Sequence, residues 1–205
     1  MKAKATSPNT AKRPPRPRAA QTHEIRIIGG LWKRTKLKVA DKPGLRPTPD
    51  RVRETVFNWL GQDLSGLRCL DAFAGTGALG FEAASRGAQE VQLVEQDGAL
   101  VEQLKKTQAQ LQASAVHVVR GDGVSAIRQA APGSLDVIFI DPPFDAPLFE
   151  PALGACARAL APEGWVYLEA PTAYTDELLT AVGLSVHRHL KAGAVHACLL
   201  KRSAA

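Results

Sequence analysis

Residues 67–87 join a short apolar run to a helical pattern through a turn rich in glycine. The apolar run covers residues 67–73, and the turn that follows contains Gly75, Gly77 and Gly80. A strand, a glycine turn and a helix in this order bring a backbone close to a nucleotide-like ligand. Because loops of this type serve several cofactors, the segment predicts where a ligand lies but does not identify it.

The chain after residue 67 alternates strand and helix patterns. The predicted strands cover residues 67–73, 91–95, 116–119, 135–140, 165–169, 184–190 and 194–200. The predicted helices lie at 78–86, 97–112, 123–130, 148–160 and 174–181. Such alternation predicts a parallel sheet covered by helices on both faces, but the last two strands are so close that they must pair antiparallel. The expected class is therefore α/β and Rossmann-like, with a mostly parallel seven-stranded sheet and an antiparallel C-terminal hairpin.

The chain in front of this domain has a different character. Residues 1–22 consist largely of Lys, Arg, Pro and Ala, which cannot bury a core, so we expect a disordered basic tail. Residues 23–44 predict a small β-hairpin extension, with strands at 24–28 and 31–39 joined by a tight turn of two glycines. Residues 45–205 form the third unit, which contains the glycine loop.

Positive charge is concentrated at the front of the chain. The first 20 residues carry six Lys or Arg and no acid, and residues 21–60 carry nine against four acids, whereas the remaining 145 residues carry eleven against sixteen. This asymmetry predicts a polyanionic partner held mainly by the first 60 residues, although a tail that aids solubility is an alternative. In the second hairpin strand, period-2 alternation gives one face to Arg34, Lys36 and Lys38.

A helix is predicted directly after the hairpin. Thr48 can serve as its N-cap and Pro49 as its first helical residue. Apolar residues recur at helical spacing at Val52, Val56, Trp59 and Leu60. We expect this helix to cover the edge or the mouth of the glycine-loop domain.

Three acidic residues follow predicted strands and are candidates to bind the ligand. Glu95 ends the second strand of the domain, 20 residues beyond Gly75, where an acid can accept hydrogen bonds from ribose hydroxyls. Asp71 precedes the glycine loop, and its carboxylate suits the cationic end of S-adenosylmethionine but would repel a pyrophosphate. Asp122 could bind an adenine amino group, or it could simply form a turn between two glycines.

The segment Asp141-Pro-Pro-Phe144 directly follows the fourth apolar strand of the domain. Ligands of open α/β sheets gather at the carboxyl ends of strands, so this segment should lie beside the glycine loop. Two prolines remove N–H donors and leave carbonyl acceptors, the Asp carboxylate adds acceptors, and Phe144 supplies a flat apolar face. Together these groups suit a planar amino group on a base, whose delocalised lone pair needs acceptors on both N–H groups before it can attack.

Several motifs resemble those of a known family. Asp141-Pro-Pro-Phe144 resembles the Asp/Asn-Pro-Pro-aromatic motif of amino-group methyltransferases, and the segment from Asp71 to Gly77 resembles their S-adenosylmethionine motif. More specifically, four segments resemble those of the RsmD family, the bacterial 16S rRNA (guanine(966)-N(2))-methyltransferases. They are Ile25-Arg-Ile-Ile-Gly-Gly30, Leu45-Arg-Pro-Thr48, Asp50-Arg-Val-Arg-Glu-Thr55 and Phe57-Asn-Trp-Leu60. The resemblance covers roughly residues 24–200.

The resemblance implies a class I methyltransferase that transfers a methyl group from S-adenosylmethionine to the exocyclic N2 amino group of a guanine in 16S rRNA. It implies that Asp141 and the Pro142 carbonyl hold the amino group while Phe144 packs on the base. The implied donor-binding residues are Asp71, Phe73, Gly75, Gly77, Glu95 and Asp122. The implied RNA contacts are Arg26, Lys33, Arg34, Lys36, Lys38, Arg46, Arg51 and Arg53.

The partner expected from this resemblance is 16S rRNA or a small-subunit assembly intermediate, bound by a monomer without a metal. No apolar stretch approaches the roughly 20 residues of a membrane helix, so no membrane partner is expected. Three distant cysteines in apolar surroundings fit a reducing compartment, and we expect a cytoplasmic protein. The alternatives are an adenine-N6 or other amino-group nucleic-acid methyltransferase, an NAD-dependent oxidoreductase and a catalytically silent RNA-binding module.

Overall fold

A computed structural model describes residues 24–38 and 48–203 of the chain. The predicted basic tail at 1–22, the boundary between residues 44 and 45 and the predicted RNA contact Arg46 lie outside the described residues. The strands are β1 (Glu24–Arg26), β2 (Lys36–Lys38), β3 (Arg68–Asp71), β4 (Glu90–Glu95), β5 (Val116–Arg120), β6 (Leu135–Ile140), β7 (Leu160–Ala170), β8 (Leu184–Ala192) and β9 (Val195–Arg202). The helices are α1 (Asp50–Trp59), α2 (Ala78–Ser85), α3 (Gly98–Leu111), α4 (Gly123–Gln129), α5 (Phe149–Ala159) and α6 (Asp176–Thr180).

Seven strands form one sheet in the order β5-β4-β3-β6-β7-β9-β8. Strands β3 to β7 are mutually parallel, while β9 runs antiparallel to both β7 and β8. The predicted α/β class, with a mostly parallel seven-stranded sheet and an antiparallel C-terminal hairpin, is confirmed.

The centre of the sheet is apolar on both faces because helices cover both. In β6 the last four residues are fully buried, as expected of a central parallel strand. On one face Phe139 packs against Phe57 of α1, with ring centroids 5.9 Å apart, and against Tyr167 of β7 at 6.2 Å. Each such aromatic ring contributes about 1.5–3 kcal/mol by leaving water. This packing fixes α1 over the carboxyl half of β6.

Helix α1 begins differently from the prediction. Pro49 is its N-cap, Asp50 is its first helical residue, and no side chain caps it. The predicted capping role of Thr48 is wrong, because the Thr48 hydroxyl lies instead 3.5 Å from the carboxylate oxygen Oδ2 of Asp141. The buried residues of the helix are Val52, Arg53, Val56 and Phe57.

The N-terminal hairpin is present but shorter than predicted. Strands β1 and β2 pair antiparallel over only three residues each, and the residues between 31 and 34 form turns. Arg34 has a left-handed backbone with φ 71°, so it does not share a strand face with Lys36 and Lys38. The exposed Lys36 also pairs with Glu24 at 2.6 Å, which lowers the net positive charge of that face.

The strands of the hairpin are short because the segment between them binds the end of α2. The N–H groups of Leu31 and Trp32 donate to the backbone oxygen and the hydroxyl of Ser85, at 2.7 and 2.9 Å. Gly30 has φ 73°, and a Cβ there would collide with the Ser85 carbonyl, so only glycine fits. These bonds curl the chain around the helix where simple alternation predicted a straight strand.

Candidate active site

The site lies where the strand order of the sheet reverses direction. From β3 the chain proceeds outward through β4 to β5, and then returns to place β6 on the other side of β3. The loops after β3 and β6 therefore leave side by side at the carboxyl edge of the sheet. Open α/β sheets bind their ligands at such a point. The glycine loop and the Asp141-Pro-Pro-Phe144 segment are thus brought together as predicted.

The glycine loop has a backbone that requires glycine. Gly75 and Gly77 both have positive φ, 51° and 77°, a region that other residues rarely adopt. The carboxylate of Glu95 accepts hydrogen bonds from the N–H groups of Gly75, at 2.9 Å, and of Asp97, at 2.8 Å. This carboxylate therefore ties the loop to the end of β4, while the predicted contact of Glu95 with ribose hydroxyls stays a prediction.

Asp71 lies behind the loop rather than in its opening. Its side chain is only 2% exposed, and it accepts a hydrogen bond of 3.0 Å from the Gly80 N–H in the first turn of α2. Burial raises the pKa of Asp71 to about 7, and the nearby charge of Glu95 acts in the same direction. A carboxyl group so enclosed offers a ligand almost no surface, and its visible role is to hold the start of α2 behind the loop.

We expect the stability of the protein to depend on the protonation of Asp71. Because its native pKa lies above the unfolded value near 3.9, its protonated form favours folding, and this contribution is lost as pH rises from about 4 to about 7. Replacing Asp71 by Asn should remove a fall in unfolding free energy of about 3 kcal/mol between pH 5 and pH 8. Urea denaturation of both proteins at the two pH values measures this. An equal change of unfolding free energy with pH in the wild type and the Asn variant would contradict it.

Asp122 caps α4 and joins two loops. Its carboxylate accepts from the N–H of Ser125 at 2.7 Å and from the side-chain amide of Gln96 at 2.9 Å. The bonds from Ser125 hold the pKa of Asp122 below its usual value, and Gln96 adds to the effect. A Cβ on Gly123 would collide with the Ala72 carbonyl and come 3.0 Å from the ring of Phe73, so the start of α4 packs tightly on the segment after β3.

These groups fit an S-adenosylmethionine type of donor. The carboxyl groups of Glu95 and Asp122 lie at the carboxyl ends of β4 and β5, with Asp71 enclosed behind the loop, and such acceptors suit hydroxyls and an amino group. A dinucleotide would bring its pyrophosphate toward the same acids and be repelled. Sequence reasoning did not identify Gln96, although a polar residue directly after a strand-end acid was available as a signal.

The Asp141-Pro-Pro-Phe144 segment supplies acceptors next to this loop. Asp141 is half-buried, Pro142 is buried and Pro143 is exposed. The Pro143 carbonyl accepts a hydrogen bond of 3.1 Å from the N–H of Ala146, so it is used within the turn. Of the two proline carbonyls, that of Pro142 therefore remains the better candidate to accept from a substrate.

Phe144 belongs to a row of three aromatic rings. Its centroid lies 6.3 Å from that of Phe149, which lies 6.3 Å from that of Tyr174. Such spacing is typical of favourable aromatic pairs. The row fixes the ring of Phe144 beside Asp141. Sequence reasoning missed Phe149 and Tyr174, although both follow strands that end at this edge.

Arg53 is not available to RNA, so the predicted contact is wrong. Its side chain is fully buried and donates to the carbonyls of Thr48 and Arg26, at 3.2 and 2.9 Å, and to the carboxylates of Asp50 and Glu82, at 2.6 and 3.4 Å. It faces inward because position 53 lies on the same helical face as the apolar residues of α1. Its charge holds the hairpin, the start of α1 and α2 together.

Glu82 is the buried partner that completes this junction. Besides Arg53, its carboxylate accepts from Arg86 at 2.9 Å and from the N–H groups of Ile28 and Gly29, at 2.7 and 2.8 Å. A buried carboxylate with four donors is fully compensated. The hairpin is thereby attached rigidly to the helix that starts in the glycine loop.

The other described candidate RNA contacts are exposed but fall into two groups. Lys33 and Arg34 lie in the turn docked on the C-terminal end of α2, away from the glycine loop. Arg26, Lys36 and Lys38 lie on the paired strands of the hairpin, and Arg51 lies on the outer side of α1. The Arg26 carbonyl accepts from Arg53, which also donates to the Thr48 carbonyl, and the Thr48 hydroxyl lies beside Asp141, so contacts connect this second group to the Asp141 segment.

Within the described ranges, no cluster of three or more His, Cys, Asp or Glu side chains is placed to hold a metal ion. In the same part of the chain, every helix is too short or too polar to cross a membrane.

Comparison with known proteins identifies the family. The profile of a family described as "conserved hypothetical protein 95" matches residues 25–201. The Escherichia coli protein named "Ribosomal RNA small subunit methyltransferase D" is 41% identical over 191 residues, which cover 92% of this chain and 96% of that protein. The chain belongs to the RsmD family. The Haemophilus influenzae protein of the same name is 42% identical over 151 residues, covering 71% of this chain and 78% of that protein.

A solved structure agrees with the fold described above. The structure titled "Putative methyltransferase yhhF from Escherichia coli" superposes with a TM-score of 0.74 at 39% sequence identity, covering 88% of this chain and 98% of that one. The fold is that of Rossmann-like methyltransferases, and the family implies a methyl donor of the S-adenosylmethionine type.

Proposed function

We propose that this chain transfers a methyl group from S-adenosylmethionine to the exocyclic N2 amino group of a guanine in 16S rRNA. The observation that carries the proposal is the position of Asp141-Pro-Pro-Phe144 beside the glycine loop, at the reversal point of a sheet in an RsmD family member. The relatives' names support ribosomal RNA of the small subunit as the substrate. An amino group as the acceptor is supported by the chemistry of the segment.

The site residues would act mainly by positioning the reacting groups. The donor supplies a methyl group activated by a sulfonium. Asp141 and the Pro142 carbonyl would accept hydrogen bonds from the two N–H groups of the guanine amine, while Phe144 stacks on the base once it has left the helix. These two acceptors favour the pyramidal nitrogen whose lone pair can attack in line with the leaving sulfur. Asp141 would then be placed to take the proton that the methylated nitrogen loses.

The donor would be held on the other side by the loop and its acids. Glu95 would accept from ribose hydroxyls, Asp122 from the adenine amino group, and Phe73 would pack near the adenine. Gly75 and Gly77 give the loop its close backbone approach. Asp71 would favour the cationic end through its charge from behind the loop.

The expected partner is free 16S rRNA or an assembly intermediate of the small subunit, and we infer that a monomer acts on it in the cytoplasm. Three buried free cysteines, Cys69, Cys156 and Cys198, are compatible with a reducing compartment. An adenine-N6 activity is the second candidate, because the same acceptor segment would hold that amine. Mapping the methylated nucleotide in rRNA from cells that lack the protein separates the two.

We expect the cations near the site to hold the RNA. Changing Arg26 and Lys38 to Gln should weaken RNA binding and reduce the slope of log affinity against log salt by about 1.5–2, because two phosphate contacts are lost. The matched control changes Lys33 and Arg34 to Gln, which removes the same charge at the far end of α2 and should have a smaller effect.

Filter binding to 16S rRNA over a range of salt concentrations measures both variants. Equal losses in the two variants would mean that RNA binding depends only on the net charge, which contradicts a specific role for the paired strands of the hairpin. Deleting residues 21–40 would test RNA binding less clearly than these point variants, because it would also remove the core residues Ile25, Ile27 and Leu37.

A further inference from the structure

Glu169 is a buried acid next to the proposed catalytic carboxylate. In the pairing of β6 with β7, Ile140 lies opposite Leu168, so the next residues, Asp141 and Glu169, occupy equivalent positions on neighbouring strands. Such strands lie roughly 4.8 Å apart. Glu169 is 3% exposed, and no step proposed for methyl transfer uses it. A buried carboxyl group beside a catalytic one requires a physical explanation.

The partners of Glu169 connect it to Asp141. The Tyr167 hydroxyl donates to its Oε1 at 2.7 Å, and the Thr48 hydroxyl is close enough to its carboxyl group to lower the pKa of Glu169. The same Thr48 hydroxyl lies 3.5 Å from Oδ2 of Asp141. Thr48 is itself only 5% exposed. One buried hydroxyl therefore lies between two acidic side chains.

A hydroxyl has a single proton, so it can donate to only one of two carboxylates. If both acids were ionised, one would lack this donor, and two negative charges would face each other in a buried region. A proton on Glu169 removes both difficulties. It lets Glu169 donate to the Thr48 oxygen, and it lets Thr48 donate to Asp141.

The groups that face Glu169 are compatible with this arrangement. Burial raises the pKa of Glu169 above its usual range, against the opposing effects of the bonds from Tyr167 and Thr48 and of the positive charge of Arg53. Tyr167 also has a raised pKa, because it is buried and lies near the acidic side chains of Glu169 and Asp141, so it remains a donor.

We propose that Glu169 and Thr48 are positioning residues for Asp141, joined in a hydrogen-bonded chain that runs from the Glu169 carboxyl through the Thr48 hydroxyl to Oδ2 of Asp141. The chain fixes the carboxylate plane of Asp141 toward the amino group that it holds. It also explains why Thr48 does not cap α1, since its hydroxyl is used here. This inference rests on the proposed role of Asp141 in methyl transfer.

Two matched pairs of variants test the chain. T48V removes the hydroxyl and keeps the shape, whereas T48S keeps the hydroxyl. E169Q has an amide that can accept from Tyr167 and donate to Thr48, as a protonated Glu does, whereas E169L can do neither. We expect kcat for 16S rRNA methylation to fall about 10-fold to 100-fold in T48V and E169L, and to stay within about threefold in T48S and E169Q.

Calorimetry of donor binding and the thermal midpoint of each variant distinguish a positioning role from a merely structural one. The donor Kd should change less than about twofold in all four variants, because the chain acts on Asp141 and not on the donor loop. If E169L does not fold, the T48V and T48S pair decides the matter. Wild-type kcat in T48V, or a loss in E169Q as deep as in E169L, would overturn the proposal.

The D141A variant is measured alongside to separate this inference from the proposed function. An inactive D141A with a fully active T48V overturns the chain alone. A fully active D141A overturns the proposed function, and the chain with it.

Discussion

Replacing Asp141 by Ala is expected to lower the rate of 16S rRNA methylation by about 10²–10⁴-fold, the range typical for losing a positioned group that handles a proton. The alanine cannot accept from the guanine amine, so the lone pair stays delocalised and misaligned with the methyl group. Donor binding should be unchanged, because the loop after β3 and the acids around it do not depend on Asp141. Tritiated methyl transfer and donor calorimetry measure the two effects.

Two further variants sharpen this test. D141N keeps one acceptor oxygen in place, so it should retain more activity than D141A. Asp145 is exposed in the same loop, and D145A should leave the rate within about twofold because it removes an acid outside the acceptor segment. Wild-type activity in D141A, or an equal loss in D145A, would contradict the assigned role of Asp141.

Replacing Arg53 by Met is expected to destabilise the protein by about 3–5 kcal/mol, the usual cost of breaking a buried ion pair from one side. The change removes one of the positive charges paired with buried Glu82, and it removes the guanidinium that donates to the carbonyls of Thr48 and Arg26. For a domain of this size the thermal midpoint should fall by roughly 10 °C. Chemical denaturation with a constant m-value checks the free energy.

Arg51 is the matched control, because it lies two residues away on the same helix and is exposed. R51M should change the unfolding free energy by less than about 0.5 kcal/mol and should lower the salt slope of RNA binding by about one. The two variants are thus expected to separate stability from RNA contact. A stable R53M with weakened RNA binding would mean that Arg53 faces the substrate after all.

The architecture of the central sheet was predictable because its signals are local. Strands such as 135–140 are continuous apolar runs, the helices between them have their own periodicity, and glycines mark the loop after β3. Alternation of the two element types then restricts the topology to a parallel sheet. The proximity of the glycine loop and Asp141 follows from that topology, although 64 residues separate Gly77 from Asp141.

The errors arose where a long-range partner overrode a local preference. The residues before Arg34 have a strand-like pattern, but hydrogen bonds to Ser85 fold them into turns. Thr48 is a residue type that often caps helices, but its hydroxyl lies beside the carboxyl groups of Asp141 and Glu169 instead. None of these partners is near in sequence, so no window of the chain contains both halves of the contact.

By itself, the sequence determined the strands and helices of a mostly parallel α/β sheet, the position of the glycine loop and the acceptor segment that follows a later strand, since each depends on residue type and spacing. Only the tertiary structure decided the roles of the charged residues around them. Arg53 and Arg51 are the same residue type on one helix, yet Arg53 is buried in a junction and Arg51 is exposed to solvent. Burial sets the cost of a charge and the strength of its bonds, and burial is a property of the packed fold.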